Sequence, residues 1–286
     1  MVSPHIQLIR SWLTSQTIEM IAPWTGLLDV ESAKGATESI AKSISKVKET
    51  PANLKATLSG IFRSTRDPAI PMTHLSTFLA RGIYSPFIAI LSAPDILETR
   101  LSIEVSTKEL QGLLNDSSEE GIALLTKLVE VSPQITKSVG HLVGTDGSLW
   151  EHARTLPLAL ALLSSPTSTT LGDSEEVLAK TALKDIQAGN WRVRNIGQQV
   201  LLLLPDKELV GKLVSTVDFS TFSSSFADLA GEMARSGPEV WSSSIRHLVQ
   251  VALQKVARAC SAEGDLDMDD IELMINLGTS SLLVQQ

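Results

Sequence analysis

The stretch Ala188-Gly189-Asn190-Trp191-Arg192-Val193-Arg194-Asn195-Ile196-Gly197, running into Val200-Leu201-Leu202-Leu203-Leu204, decides how this chain is read. Before it, Val177, Leu178, Leu183 and Ile186 recur at helical spacing, and Asp173 with Glu176 three residues on has the form of a capping box that opens that helix. Ala188-Gly189-Asn190 supplies turn residues that end it. A second helix is expected from Trp191 to Leu204, stopped by Pro205, because proline cannot continue a helix from the preceding residue. Two apolar-periodic segments joined by so short a turn form a helical hairpin.

Working outward, the same punctuation recurs. Toward the C-terminus, helices are expected over Asp206 to Thr216 and Phe219 to Arg235. Gly237-Pro238 then introduces the most regular pattern of all, in which Trp241, Ile245, Leu248, Val249, Ala252, Leu253, Val256 and Cys260 share one face and Arg246, Lys255 and Arg258 lie on the other. A last helix is expected from Met268 to Leu277. Toward the N-terminus, Ser3-Pro4 opens a helix through Ile6, Ile9 and Leu13, and further apolar-periodic stretches run over Ser32 to Lys48 and Asn53 to Arg63. Thr73 is placed to cap a helix carrying Leu75, Phe78 and Leu79, and Ser85-Pro86 precedes Phe87, Ile88, Ile90 and Leu91. Asp95 to Val105, Ser106 to Leu114, Ser117 to Val131 and Pro133 to Val143 continue the series. Leu149 to Leu163 is expected to kink or break near Leu156, since Pro157 in a helix interior costs about 3 kcal/mol. No stretch has the sustained alternation of strands, so the class is all-α, with roughly 15 short helices.

The hairpin quoted first resembles the HEAT/armadillo-type repeat family, in which a leucine-rich helix ends at a short Asp/Asn turn and the next helix begins with a Val-Arg pair. A similar turn runs from Leu110 through Asn115-Asp116-Ser117-Ser118-Glu119-Glu120 into Ile122, Leu124 and Leu125, without the Val-Arg pair. The resemblance implies an α-solenoid, a superhelix of stacked antiparallel helix pairs with irregular repeats. It implies also that Trp191 and Val193 pack between the helices of one repeat, that Asn190 caps the second, and that Arg194 reaches an acidic or carbonyl group of the neighbouring repeat. The organisation expected is a set of N-terminal helical repeats over 1–163, a loop or linker over 164–174 and HEAT-like repeats over 175–286, together one continuous solenoid. Apolar Leu282, Leu283 and Val284 close to the chain end fit a segment of a larger solenoid.

Composition narrows the function classes. A hydrophobic fraction of 43% with only 4% aromatic residues suits layers of aliphatic helices and leaves few platforms for stacking bases. The single cysteine, Cys260, cannot form an intramolecular disulfide and fits a reducing compartment. No run of 18 apolar residues or signal-peptide core occurs, so no membrane partner is expected. A net charge of −8 argues against chain-wide affinity for nucleic acid, but Lys34 to Arg66 is locally basic. There Lys42, Lys46, Lys48, Lys55, Arg63 and Arg66 are candidate phosphate contacts.

Catalytic and metal-binding patterns are weak. His5, His74, His141, His152 and His247 have no ligand spacing, and Ser148 and Asp146, flanked by His141 and His152, lack a nucleophile elbow. Gly140, Gly144 and Gly147 lack the lysine of a phosphate loop. The run Asp265 to Asp270 starts like a calcium loop but has Asp270 where glycine is required and Asn276 where glutamate is. No catalytic, cofactor-binding or metal residue is assigned. The expectation is a non-enzymatic scaffold or adaptor in an intracellular complex, binding a peptide, helix or folded subunit on a concave surface. The expected location is the cytoplasm or the nucleus, with the nucleus or nucleolus favoured, and the resemblance allows a place in a nuclear or nucleolar ribonucleoprotein assembly such as one for ribosome assembly. The alternative is a direct RNA or DNA binder using Lys34 to Arg66.

Overall fold

The computed structural model describes residues 28–45, 54–65, 69–93, 105–116, 118–144, 147–166, 171–188 and 195–261. Every regular element among them is helical, in agreement with the all-α expectation. The chain divides into two compact units, 1–139 and 140–286.

In the first unit, α1 (Val30–Ile44) begins where Asp29 accepts the Ser32 N–H at 2.7 Å, satisfying one of the donors a helix start leaves free. It is followed by α2 (Leu54–Thr65), two short helices α3 (Ala69–Met72) and α4 (Leu75–Leu79), and α5 (Ser85–Leu91). Gly82 turns the chain between α4 and α5 with φ of 63°, a conformation that glycine adopts without strain. The unit continues with α6 (Thr107–Asn115) and α7 (Glu119–Val131). Helix α8 (Pro133–Val143) carries the chain across the boundary at 139 and 140. A complete capping box forms at α6. The Ser106 hydroxyl accepts the Glu109 N–H, and the Glu109 carboxylate accepts the Ser106 N–H at 2.9 Å. At the α7–α8 joint the buried Thr136 hydroxyl donates to the carbonyls of Val129 and Ser132, at 2.9 and 3.0 Å. It thereby serves a helix-end oxygen that would otherwise lack a donor.

Helix α2 packs on α1 and α5, α5 on α7, and α7 on α6. The centre of this unit is an aromatic triad drawn from three helices, Phe62 of α2, Phe78 of α4 and Phe87 of α5, each with no exposed surface. Their ring centroids lie 5.1 to 6.0 Å apart in edge-on and tilted pairs, the arrangement that sets the positive ring edge against the negative face.

The second unit opens with two 3₁₀ turns, Gly147–Glu151 and Ala153–Thr155, and then α9 (Leu156–Leu163). The break expected near Leu156 is thus a helix start, with Pro157 in the first turn where its missing N–H costs nothing. A third 3₁₀ turn (Gly172–Ser174) leads into α10 (Glu175–Gln187), which is followed by α11 (Ile196–Leu203), α12 (Lys207–Val214), α13 (Ser224–Ser236) and the long α14 (Pro238–Ser261). Within this unit each helix from α9 to α12 packs on the helix two places further along the chain. The pairs α9 with α11 and α11 with α13 make one row, and α10 with α12 and α12 with α14 make another. The rows are joined where α10 meets α11 and α13 meets α14.

Several expected boundaries move. Helix α9, before the segment 164–174, packs on α11 after it, and the turn at Gly147–Glu151 packs on α10. Asp173 and Glu176 do not bracket the start of α10. Ser174 holds the N-cap position, without a side-chain capping bond. His74, and not Thr73, precedes α4. Helix α13 starts at Ser224, five residues after Phe219, because the Asp218 carboxylate accepts the N–H groups of Ser220 and Thr221 at 2.9 and 3.0 Å and holds a turn there. Helix α11 is described from Ile196, with Asn195 in extended conformation before it.

If the phenylalanine triad centres the first unit, Phe62→Ala will lower that unit's unfolding free energy by about 3–5 kcal/mol. The measurement is hydrogen exchange across residues 54–91, and a loss below about 1 kcal/mol would contradict this placement of the core.

Candidate functional site

The basic segment distinguished in the sequence falls on α1 and α2. Lys42 is exposed in the last turn of α1 and Arg63 is exposed in the last turn of α2, while Lys55 lies half-exposed at the start of α2. Lys46, Lys48 and Arg66 lie outside the described residues. On α1 the order Lys34, Glu38, Lys42 runs at four-residue intervals, which sets an acid between two bases on the same ridge. Lys55 is itself engaged, its Nζ 2.7 Å from Glu120 Oε2 on α7. Among the described residues this surface is therefore of mixed sign, with an interhelical ion pair.

Glu120 belongs to a polar cluster that the sequence reading did not assemble. The Tyr84 phenol, immediately before α5, donates to Asp116 Oδ2, and Asp116 Oδ1 accepts the Ser118 N–H at 3.0 Å. Ser118 in turn accepts the Gly121 N–H at 3.1 Å and caps α7. Gly121 sits in a tight spot, since a β-carbon there would lie 3.0 Å from Ser118 Oγ and 3.3 Å from the Asp116 carbonyl oxygen. This is the turn at Asn115-Asp116 that resembles a repeat turn. Its signal was legible in the sequence, but nothing in the chain order pointed to Tyr84, 32 residues earlier. Burial pushes the Tyr84 phenol up to about 12, assisted by its bond to Asp116 and by the negative charge there and on Glu120. The same bond, ahead of those from Ser118, holds the Asp116 carboxyl below its usual value.

In the second unit the polar groups gather where α10, α11 and α13 meet. The Gly197 N–H, in the first turn of α11, donates to Asp185 Oδ2 of α10 at 3.3 Å. A β-carbon at Gly197 would come within 2.6 Å of the Ala182 carbonyl oxygen, so the two helices approach at a distance only glycine permits. From the next residue, Gln198 donates to the Ser225 carbonyl of α13 at 2.8 Å, and the Ser223 hydroxyl donates to the Ile186 carbonyl at 3.4 Å. Asn195 Oδ1 is buried beside this junction without a partner. Desolvation raises the Asp185 carboxyl above its usual value, opposed by its bond from Gly197. Asn190, Trp191, Val193 and Arg194, which carry the repeat resemblance, lie outside the described residues.

Several side chains of this unit, Lys207, His247, Lys255 and Arg258, are used for packing. Lys207 donates to the Leu202 carbonyl at the end of α11 and stands 5.1 Å from the centre of the Trp241 ring, and burial lowers its affinity for a proton. Lys255 donates to the Phe222 carbonyl at 3.1 Å, Arg258 lies 4.2 Å over the Phe219 ring, and a His247 ring nitrogen is 2.8 Å from the Val217 carbonyl oxygen. All three tie α14 to the segment before α13. The apolar face of α14 is only partly covered: Trp241, Leu248 and Ala252 are buried, Ile245, Val249 and Val256 are intermediate, and Leu253 is 57% exposed.

Of the groups weighed for chemistry, His141, Ser148 and His152 are exposed, and Asp146 lies outside the described residues, as does the acidic run from Asp265. Among the described residues no cluster of His, Cys, Asp and Glu is placed to hold a metal ion, and no helix is long and apolar enough to cross a membrane. No protein-family model, curated protein or solved structure matches the chain.

Tyr84 is the chain's only tyrosine, so absorbance at 295 nm reports its ionisation alone. The native protein is expected to titrate near 12, against about 10 once unfolded. Stability from this bond is full below the unfolded value and is lost as pH rises through the folded one. A native titration near 10 would remove the bond to Asp116 from the structure.

Gly197→Ala tests the helix approach in the second unit. Helix propensity alone would make it stabilising by about 1 kcal/mol, but the 2.6 Å clash with backbone should make it destabilising by about 1–3 kcal/mol in chemical denaturation. Asp185 adds a pH dependence of determined sign. Its folded-state proton affinity is raised, so its contribution favours the folded state below the ordinary carboxylate range and declines as pH rises through the folded value. Asp185→Asn, which keeps an acceptor for Gly197, should flatten that slope, and an unchanged slope would count against a buried carboxylate there.

Proposed function

We propose that this chain is a non-catalytic interaction scaffold, a stack of helix pairs that presents a surface to other proteins inside a larger intracellular complex. The observation that supports the reading is the packing order of the second unit. Each helix from α9 to α12 rests on the helix two places on, and α9 and α14 are not among the closely packed pairs. A closed bundle brings its first and last helices together, whereas a stack of helix pairs repeats neighbour contacts and leaves its ends apart. Such stacks offer long surfaces that bind peptides, helices or folded subunits without a reactive group.

Direct nucleic-acid binding is the weaker reading. Counterion release requires cations that can neutralise phosphates, and here Lys55 already faces Glu120 while Glu38 interrupts the lysines of α1.

The test is affinity capture of the tagged full chain from its native cells, with quantitative mass spectrometry before and after nuclease treatment. Stoichiometric protein partners that persist through nuclease are expected. Recovery of none, or of partners that vanish with the nucleic acid, would overturn the scaffold reading.

A further inference from the structure

We draw no further inference here: the strongest candidate, the partly exposed apolar stripe of Ile245, Val249, Leu253 and Val256 along α14 in the second unit, carries nothing because nothing in the structure shows what covers it.

Discussion

The close approach of α10 and α11 is the constraint on which the second unit depends. Helices normally pack with axes 8–10 Å apart, a spacing set by the side chains between them. Here one contact is backbone on backbone, with the α-carbon of Gly197 against the Ala182 carbonyl. The Asp185 carboxylate uses the space to take a first-turn N–H of α11 that has no partner within its own helix. Because α11 is held so near, Gln198 and Ser223 can reach across to α13 and α10, and α13 then supplies the face on which α14 packs. Small residues continue this economy of space. Ala179 and Ala182 of α10 and Ala227 and Ala230 of α13 are all buried.

The first unit is held by different chemistry. Three large rings fill its centre, each burial worth about 1.5–3 kcal/mol, and the rim is tied by Tyr84 on Asp116 and Lys55 on Glu120. The two ties are not equal. Lys55 and Glu120 are both nearly half exposed, and a pair screened by water contributes on the order of 0–1 kcal/mol. The Tyr84 side of its bond is 8% exposed and its acceptor is charged, a setting in which a hydrogen bond contributes about 1.5–3 kcal/mol. The tyrosine therefore fixes where α5 meets the α6–α7 turn, and the ion pair mainly sets the surface charge. Other pairs, such as Lys180 with Glu176 and Lys212 with Glu208, stay within one helix and add only local support.

Among the described residues, helicity itself was legible in the sequence. Apolar spacing in Ser117 to Val131 and Pro133 to Val143, and proline at residues 133, 157 and 238, placed α7, α8, α9 and α14 close to where they lie, since periodicity and the missing proline N–H are properties of the local chain. Helix starts were less secure. Asp218 diverts the chain into a turn where the apolar pattern alone continues a helix, and Ser174 stands at a helix start with no capping bond although Asp173 and Glu176 have the spacing of a box. The basic residues of Lys34 to Arg66 were found by counting, but a count is blind to Glu120, 65 residues from its partner Lys55.

By itself, then, the sequence determined that the described part of this protein is helical, which segments form most of those helices and which of their faces are apolar, because those properties repeat every few residues. Only the tertiary structure decided that α10 and α11 touch through Gly197, that the Tyr84 hydroxyl donates to the Asp116 carboxylate, and that α9 packs on α11. Each of these turns on distances between residues far apart in the chain, to which a local period carries no information.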